Sequence, residues 1–395
     1  MIALNKAYLT GKENQYIGEA LKSQTSGNGV FTKKSHQFFC DKYNFKKTLL
    51  TTSCTAALEM TAILIDIKPG DEVIIPSFTF VSTANAFVLR GAKIVFADSL
   101  EDHPNIDVSK LESLITPRTT AIIVVHYAGV AVDMDQLMDL AKRYNLFVVE
   151  DAAQAIDSYY KGRPLGGIGH LGCFSFHDTK NIVSGEGGLL VVNDERFIQR
   201  AEIIWEKGTN RSAFIRGEVD KYGWVDVGSS YLPSEIIAAF LYAQLENLEH
   251  IQKLRIEKWN YYFENLRSID PAFNVALPHI PDFARHNGHI FYLVCDNVFQ
   301  RDYLSKTLRK GGVQAYFHYP ALHLSQYYLR THQPRILPNA LGFSEKLVRL
   351  PLYTDISSQD QEYVIQQLIS VLTSFPSSDE HAALESMRRK ESRKV

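Results

Sequence analysis

Cysteine is scarce in this chain: four in 395 residues, at Cys40, Cys54, Cys173 and Cys295, with no C-x-x-C spacing. That argues against a disulfide framework and against a thiolate zinc site; free thiols in a reducing cytoplasm, and no metal centre, are expected. Neither sign of charge is in surplus, since 42 Lys and Arg face 44 Asp and Glu for a net charge of −2. A nucleic-acid partner, which would call for a basic excess, is not expected. Long apolar runs are missing, and Met1-Ile2-Ala3-Leu4-Asn5-Lys6 has no signal-peptide core, so neither membrane association nor export is expected. Internal repeats are absent. From Pro376 the apolar pattern stops; the tail is Ser-rich and then charged through Arg388-Arg389-Lys390, which reads as solvated or disordered.

What the chain does contain is a regular alternation of elements between Lys47 and Val192. Short apolar strands are predicted at 48–52, 72–75, 93–97, 120–125, 146–150, 172–176 and 188–192, with helical segments at 54–66, 82–90 and 133–144. This is the pattern of an α/β chain with a mostly parallel sheet covered on both faces. Tyr231 to Leu266 reads as one long helix, with a domain junction near residue 250. Beyond it, strands at 290–295 and 313–317 and helices at 301–310 and 359–374 predict a smaller C-terminal α/β domain. The expected division is 1–250 for an N-terminal segment plus the large domain, 251–375 for the small domain, and 376–395 for the tail.

Four short segments carry the chemistry. Ser175-Phe176-His177-Asp178-Thr179-Lys180, with Gly185-Glu186-Gly187-Gly188 close behind, puts an amine in a tight crossing between two strands. Alone it is a solvated loop lysine; with suitable neighbours it is a lysine of depressed pKa that condenses with a carbonyl. Leu146 to Asp151 reads as a buried strand ending in acid, followed by Ala152-Ala153-Gln154. A carboxylate at that end of a parallel strand faces the crevice where open α/β sheets bind ligands, or else caps the next helix. Thr51-Thr52-Ser53-Cys54-Thr55 opens a helical run, and such a start is either an ordinary cap or a phosphate cup. Phe80, in Pro76-Ser77-Phe78-Thr79-Phe80, follows a strand and is either core or a stacker on a planar ring. Gly167-Ile168-Gly169-His170-Leu171-Gly172 fits G-x-G-x-x-G, but a strand rather than a helix follows it, so a dinucleotide site is not expected.

Together these segments resemble the fold-type-I pyridoxal-phosphate enzymes. They are most similar to the DegT/DnrJ/EryC1/StrS sugar aminotransferases, whose pattern runs Ser-x-Thr-Ala-x-Leu, Pro-Ser-x-Thr-aromatic, Glu-Asp-Ala-Ala-Gln, and Ser-Phe-x-x-x-Lys with Gly-Glu-Gly-Gly. The resemblance extends to about Phe375. It implies an aspartate-aminotransferase-like large domain and a cofactor, pyridoxal 5′-phosphate, that becomes pyridoxamine 5′-phosphate during turnover. By the same resemblance Lys180 is catalytic, Asp151 faces the ring nitrogen, Gln154 the ring hydroxyl and Phe80 the ring, while Cys54, Thr55 and Ser175 hold the phosphate. Many relatives also have a Gly-x-Asn-x-Arg segment that reaches the neighbouring subunit's phosphate. Here Gly228-Ser229-Ser230-Tyr231-Leu232 stands in its place, so that contact either falls to Ser229 or Ser230 or is lost. A homodimer with active sites at the interface is also implied.

Further segments are similar to a branch of the family that aminates C4 of dTDP-4-keto-6-deoxyglucose with L-glutamate. They are His126-Tyr127-Ala128-Gly129-Val130, Glu206 to Ser212, Val219 to Trp224, and Phe317-His318-Tyr319-Pro320. A nucleotide diphosphate calls for cationic donors. Lys207, Arg211 and Lys221, with Arg216, are the candidates, reaching across a dimer; His318 and Tyr319 are candidates for the sugar. For each of these residues a solvated or purely structural role explains the same letter.

Overall fold

A computed structural model describes residues 1–375; the expected tail at 376–395 lies outside the described residues. The seven strands expected in the large domain are all present, each within one residue of its expected ends. They are β1 (Lys47–Thr51), β2 (Glu72–Pro76), β3 (Lys93–Ala97), β4 (Thr119–Val125), β5 (Phe147–Asp151), β6 (Leu171–Ser175) and β7 (Gly188–Val192). They form one sheet in the order β1-β7-β6-β5-β4-β2-β3. Every neighbouring pair is parallel except those of β7, which runs against both β1 and β6.

The strands read as unbroken apolar runs because both faces are covered. Successive residues therefore belong to different cores. Leu49, Ile123, Val149 and Leu190 pack into one, and Leu50, Ile122, Val124 and Val148 into the other. Helices Cys54–Leu64, Val81–Val88 and Ile198–Trp205 supply the first face; Val30–Tyr43, Met134–Tyr144 and Glu235–Leu245 supply the second.

The same two-residue period separates the adjacent acids at the end of β5. Glu150 turns to the second face and is fully buried there. Its carboxylate accepts from the backbone N–H of Gly166 (2.7 Å), Ile168 (2.7 Å) and Gly169 (2.6 Å), and His126 Nε2 lies 2.9 Å away. The start of the G-x-G-x-x-G stretch thus wraps a protein carboxylate, and its last two residues open β6. Asp151 turns to the first face, toward the carboxyl ends of the parallel strands.

The expected single helix at 231–266 is two helices, Glu235–Leu245 and Leu248–Leu266. At the break the N–H of Asn247 bonds the Gln244 carbonyl at 3.0 Å, and Asn247 Nδ2 takes the Ala243 carbonyl at 3.1 Å. That asparagine competes for helical carbonyls in a way no apolar period reveals. The second helix contributes Leu248 and Ile251 to the large core and Trp259, Tyr262 and Leu266 to a third core. This third core lies beside a three-stranded antiparallel sheet of β8 (Phe291–Val294), β9 (Tyr316–Phe317) and β10 (Leu347–Leu350), ordered β8-β10-β9. The strand expected at 313–317 shrinks to β9, while Val313 makes a single bridge to Ile2. Ile2 belongs to the third core.

Glycine at the start of β7 is a steric requirement. A Cβ on Gly188 would lie 2.4 Å from the Ser53 carbonyl carbon and 2.5 Å from the Cys54 nitrogen. The glycine-rich crossing and the start of helix Cys54–Leu64 therefore touch backbone to backbone. Gly188→Ala is expected to cost about 1–3 kcal/mol of stability, the usual range for overpacking. Denaturant unfolding measures it, and an unchanged midpoint would refute the close-approach argument.

Candidate active site

A cavity of about 580 Å³ opens at the carboxyl ends of the parallel strands. Lys180, Asp151, Gln154, Cys54, Thr55, Phe80, Ser175, His318 and Tyr319 all line it. Ser229, Ser230, Lys207, Arg211 and Lys221 do not; they are exposed on the 206–230 segment. Arg216 is committed elsewhere, to Glu202 at 2.9 Å and Glu218 at 2.7 Å.

Asp151 is buried with a short list of partners. Thr83 Oγ1 donates to Oδ2 at 2.7 Å and the Ala153 N–H to Oδ1 at 3.2 Å. Both donors are neutral. Burial pushes the carboxyl above its ordinary range, against the opposing pull of these hydrogen bonds and of Lys180. Gln154 is held at both ends: Oε1 accepts from the Ala128 N–H at 2.7 Å, and Nε2 donates to Tyr319 Oη at 3.0 Å. Ala128 itself has φ +56°, the left-handed turn that brings its N–H around to the amide.

Lys180 sits in the crossing between β6 and β7. Its ammonium makes no hydrogen bond or ion pair among the described residues. Burial lowers its pKa from the ordinary 10.5; Cys54 and Asp151 oppose the shift and Arg349 adds to it. The next residue fixes the loop. Asn181 donates to Gln252 Oε1 and to the Asn287 carbonyl, both at 2.9 Å, and its Oδ1 lies 2.8 Å from His289 Nδ1.

Cys54 begins helix Cys54–Leu64, where first-turn N–H groups lack helical partners. Ser53 caps that helix by accepting from the Ala56 N–H at 3.1 Å. Burial raises the Cys54 thiol well above its usual range, so it stays protonated and does not compete with Lys180 as a nucleophile. Thr55 Oγ1 donates to Ser82 Oγ at 2.8 Å. Phe80 presents a ring that is 55 % exposed, 6.0 Å from that of Tyr319.

Among the polar residues of the wall that went unnoticed in the sequence are His289 and Arg349. His289 is buried, and burial chiefly keeps it far below its ordinary pKa. Arg349 lies in β10, and the available signal was a lone cation inside the apolar run Leu347-Val348-Arg349-Leu350.

The sequence profile of the DegT/DnrJ/EryC1/StrS aminotransferases matches residues 8–369. The chain belongs to this family. Its fold is shared with the aminotransferase TlmJ from Streptoalloteichus hindustanus, at TM-score 0.87 and 28 % identity over 95 % of this chain and 99 % of that one. Spr1654 from Streptococcus pneumoniae, in its PLP form, gives 0.87 and 25 % over 95 % and 100 %. The sugar aminotransferase CalS13 from Micromonospora echinospora, at 23 % identity over 94 % and 100 %, shares the fold with a TM-score of 0.85. As a DegT/DnrJ/EryC1/StrS aminotransferase, the chain is a fold-type-I enzyme with pyridoxal phosphate as its cofactor.

The cavity suits that cofactor on its own terms. A buried carboxylate with only neutral donors accommodates a cationic ring N–H. A helix start suits a phosphate, and an amine without a partner suits an aldehyde. The lowered pKa of Lys180 has a measurable consequence. Covalent uptake of pyridoxal phosphate by the cofactor-free protein, trapped with borohydride, should rise with pH to a plateau whose midpoint lies below 10.5. In Asp151→Asn the midpoint should fall further, because a charge favouring the ammonium is gone. A midpoint at or above the ordinary lysine value would contradict the burial described here.

Proposed function

We propose that this enzyme transfers the amino group of L-glutamate to C4 of dTDP-4-keto-6-deoxyglucose. The product is dTDP-4-amino-4,6-dideoxygalactose, a precursor of surface polysaccharide such as enterobacterial common antigen or O-antigen, made in the cytoplasm. The observation that carries the reading is the meeting of two segments beyond the shared family pattern. Tyr127 Oη lies 3.0 Å from His318 Nδ1, and His318 and Tyr319 line the same cavity as Lys180. These segments, at the end of β4 and after β9, resemble the branch of the family that acts on this keto sugar.

When bound, the cofactor supplies a carbonyl for the amine and a ring that takes up the electron pair left behind by a departing proton. The protein's part is to hold and move that proton. Lys180 Nζ, neutral when its pKa is depressed, removes the proton from the α-carbon of glutamate and later delivers one to C4 of the sugar. Asp151 keeps the ring nitrogen protonated, Gln154 faces the ring hydroxyl, Phe80 covers a ring face, and Cys54, Thr55 and Ser175 receive the phosphate. His318 and Tyr319 bound the sugar. The sugar face turned to Lys180 sets the new amine axial or equatorial; the equatorial product is dTDP-4-amino-4,6-dideoxyglucose.

The working unit in this proposal is a homodimer. Lys207, Arg211 and Lys221 would serve the diphosphate in the partner's cavity, and Ser229 or Ser230 its cofactor phosphate. Support comes from their exposure outside this chain's own cavity, on a segment that also exposes Ile215, Tyr222 and Trp224.

Two measurements test these statements. Incubation with glutamate and the keto sugar should yield the 4-amino sugar, its C4 configuration read by NMR, with a loss of at least about 10²-fold in Lys180→Ala. Normal turnover in that variant would end the mechanism. For the dimer, Lys180→Ala and Lys207→Glu/Arg211→Glu should each be inactive alone. Mixed and exchanged, they should recover about one quarter of wild-type activity, because half the dimers then carry one intact site. No recovery would place the basic residues outside the partner's site.

A further inference from the structure

His289 stands in the cavity wall two residues before β8. Its main chain is fixed on both sides. The N–H donates to Asn287 Oδ1 at 3.1 Å, and the carbonyl accepts from Arg255 Nη2 at 2.8 Å. Its ring is fixed as well, and the hydrogen bonds around it decide which nitrogen carries the proton. Gln252 Nε2 donates to the Ile156 carbonyl at 3.2 Å, so its Oε1 is the atom turned to Asn181. The Asn181 atom that meets this oxygen and the Asn287 carbonyl, both at 2.9 Å, faces two acceptors and is the amide nitrogen. Asn181 therefore turns its oxygen to His289, and Nδ1, 2.8 Å away, must be the protonated ring nitrogen.

A second proton is kept off the ring by burial and by the surrounding charges of Lys180, Arg255 and Arg349, with His318 acting in the same direction. Nε2 is thus left with a lone pair. It has no protein partner among the described residues, and it is not sealed off from the cavity that His289 lines. The wall presents a hydrogen-bond acceptor that is uncharged, fixed in direction and unused. The other acceptors of the cavity are engaged. Asp151 meets Thr83 and Ala153, Gln154 Oε1 meets the Ala128 N–H, His318 Nδ1 meets Tyr127, and Glu186 faces His177 at 3.8 Å.

The donor that needs such an acceptor is on the same chain. Lys180 lines the cavity without a partner, and its charge is felt at the His289 ring. Once it has taken up a proton, the amine is a buried ammonium with three N–H groups to satisfy, and leaving it bare is costly. A carboxylate would hold that ammonium too tightly to let the proton go; a neutral imidazole offers a hydrogen bond without an ion pair. The two side chains also share an anchor, because Asn181 follows Lys180 in the chain and grips the His289 ring. We propose that His289 Nε2 is the resting acceptor for the Lys180 ammonium, a positioning residue that holds the amine in place between its two proton transfers. The assignment rests on Lys180 as the proton carrier in the reading above. It is independent of which sugar accepts the amino group.

The test compares wild type, His289→Phe and His289→Gln, with Lys180→Ala as the blank. In the cofactor-free proteins, covalent uptake of pyridoxal phosphate is trapped with borohydride across a pH series. The midpoint reads the free Lys180 amine, on which Cys54, Asp151 and Arg349 also act. His289→Phe keeps a ring and removes the lone pair. Its midpoint should fall by at least about one pH unit, a tenfold change, as expected for losing a hydrogen bond to a charged group. His289→Gln, whose amide can both donate to Asn181 and accept from the ammonium, should lie between. Loosened packing that admits water would move the midpoint the other way, toward 10.5, and so would removal of a cationic imidazole. An unchanged or raised midpoint in His289→Phe overturns the proposal. In D₂O, exchange of the α-hydrogen of L-glutamate by the holoenzyme should slow at least about tenfold in His289→Phe and be partly restored in His289→Gln; unaltered exchange overturns the positioning role. Nitrogen-15 spectra of histidine-labelled wild type, which need no variant to fold, should show a neutral imidazole protonated at Nδ1 that is missing from the His289→Gln spectrum. A tautomer protonated at Nε2, or an imidazolium, overturns the assignment. If these results hold and the keto sugar is not aminated, only the proposed acceptor falls. Trapping that persists in Lys180→Ala would overturn both.

Discussion

The site is organised by a carboxylate that the fold buries and does not neutralise. Glu150 and Asp151 are neighbours on one strand, and the pleat sends them to opposite faces. Glu150 meets three backbone N–H groups and a histidine, so its charge is fully used in holding a glycine-rich loop. Asp151 meets one hydroxyl and one N–H. Leaving an ionised carboxylate so lightly solvated is unfavourable unless a cation completes it. The first acid fastens the loop that precedes β6; the second keeps an unmet demand at the mouth of the sheet.

The lysine is prepared by complementary means. Its side chain is free, but the chain on either side of it is not. Asn181 ties the crossing to Gln252, Asn287 and His289, and Gly188 seats the far end against the backbone of Ser53 and Cys54. Mobility is thereby confined to the four methylenes of the amine that must work. The same economy governs the wall around β10. Arg255 spends its donors on the carbonyls of His289 and Leu352, two residues that line the cavity, and so braces the surface from which Arg349 projects. Burial holds the imidazoles of His289 and His318 far below their ordinary pKa, so permanent charge on that wall is concentrated in one guanidinium.

Much of this was legible in the letters, for a physical reason. Strands β1 to β7 are short, apolar and buried on both faces, which leaves an unmistakable trace between polar turns. Lys180, Asp151 and Gln154 lie in segments where polar residues interrupt those runs at strand ends, so each announced itself locally. Arg349 did not, because β10 is only four residues long and directly follows the helix Pro338–Lys346, leaving no turn to mark it. Asn181 and His289 were invisible for another reason: their roles exist only through partners about a hundred residues apart in the chain. The break at Asn247 escaped because both flanks keep a helical period, and a side-chain amide capturing one carbonyl does not disturb it.

The three tryptophans divide unequally. Trp205 and Trp259 are buried at 2 % and 5 % exposure, whereas Trp224 is 85 % exposed on the 206–230 segment. The molecule thus has a built-in fluorescent reporter at one surface location, with the other two indoles as an internal reference. Long-wavelength emission and quenching by iodide will come almost wholly from that one ring. Whatever covers the segment will be seen as a blue shift of a single emitter, with no label attached.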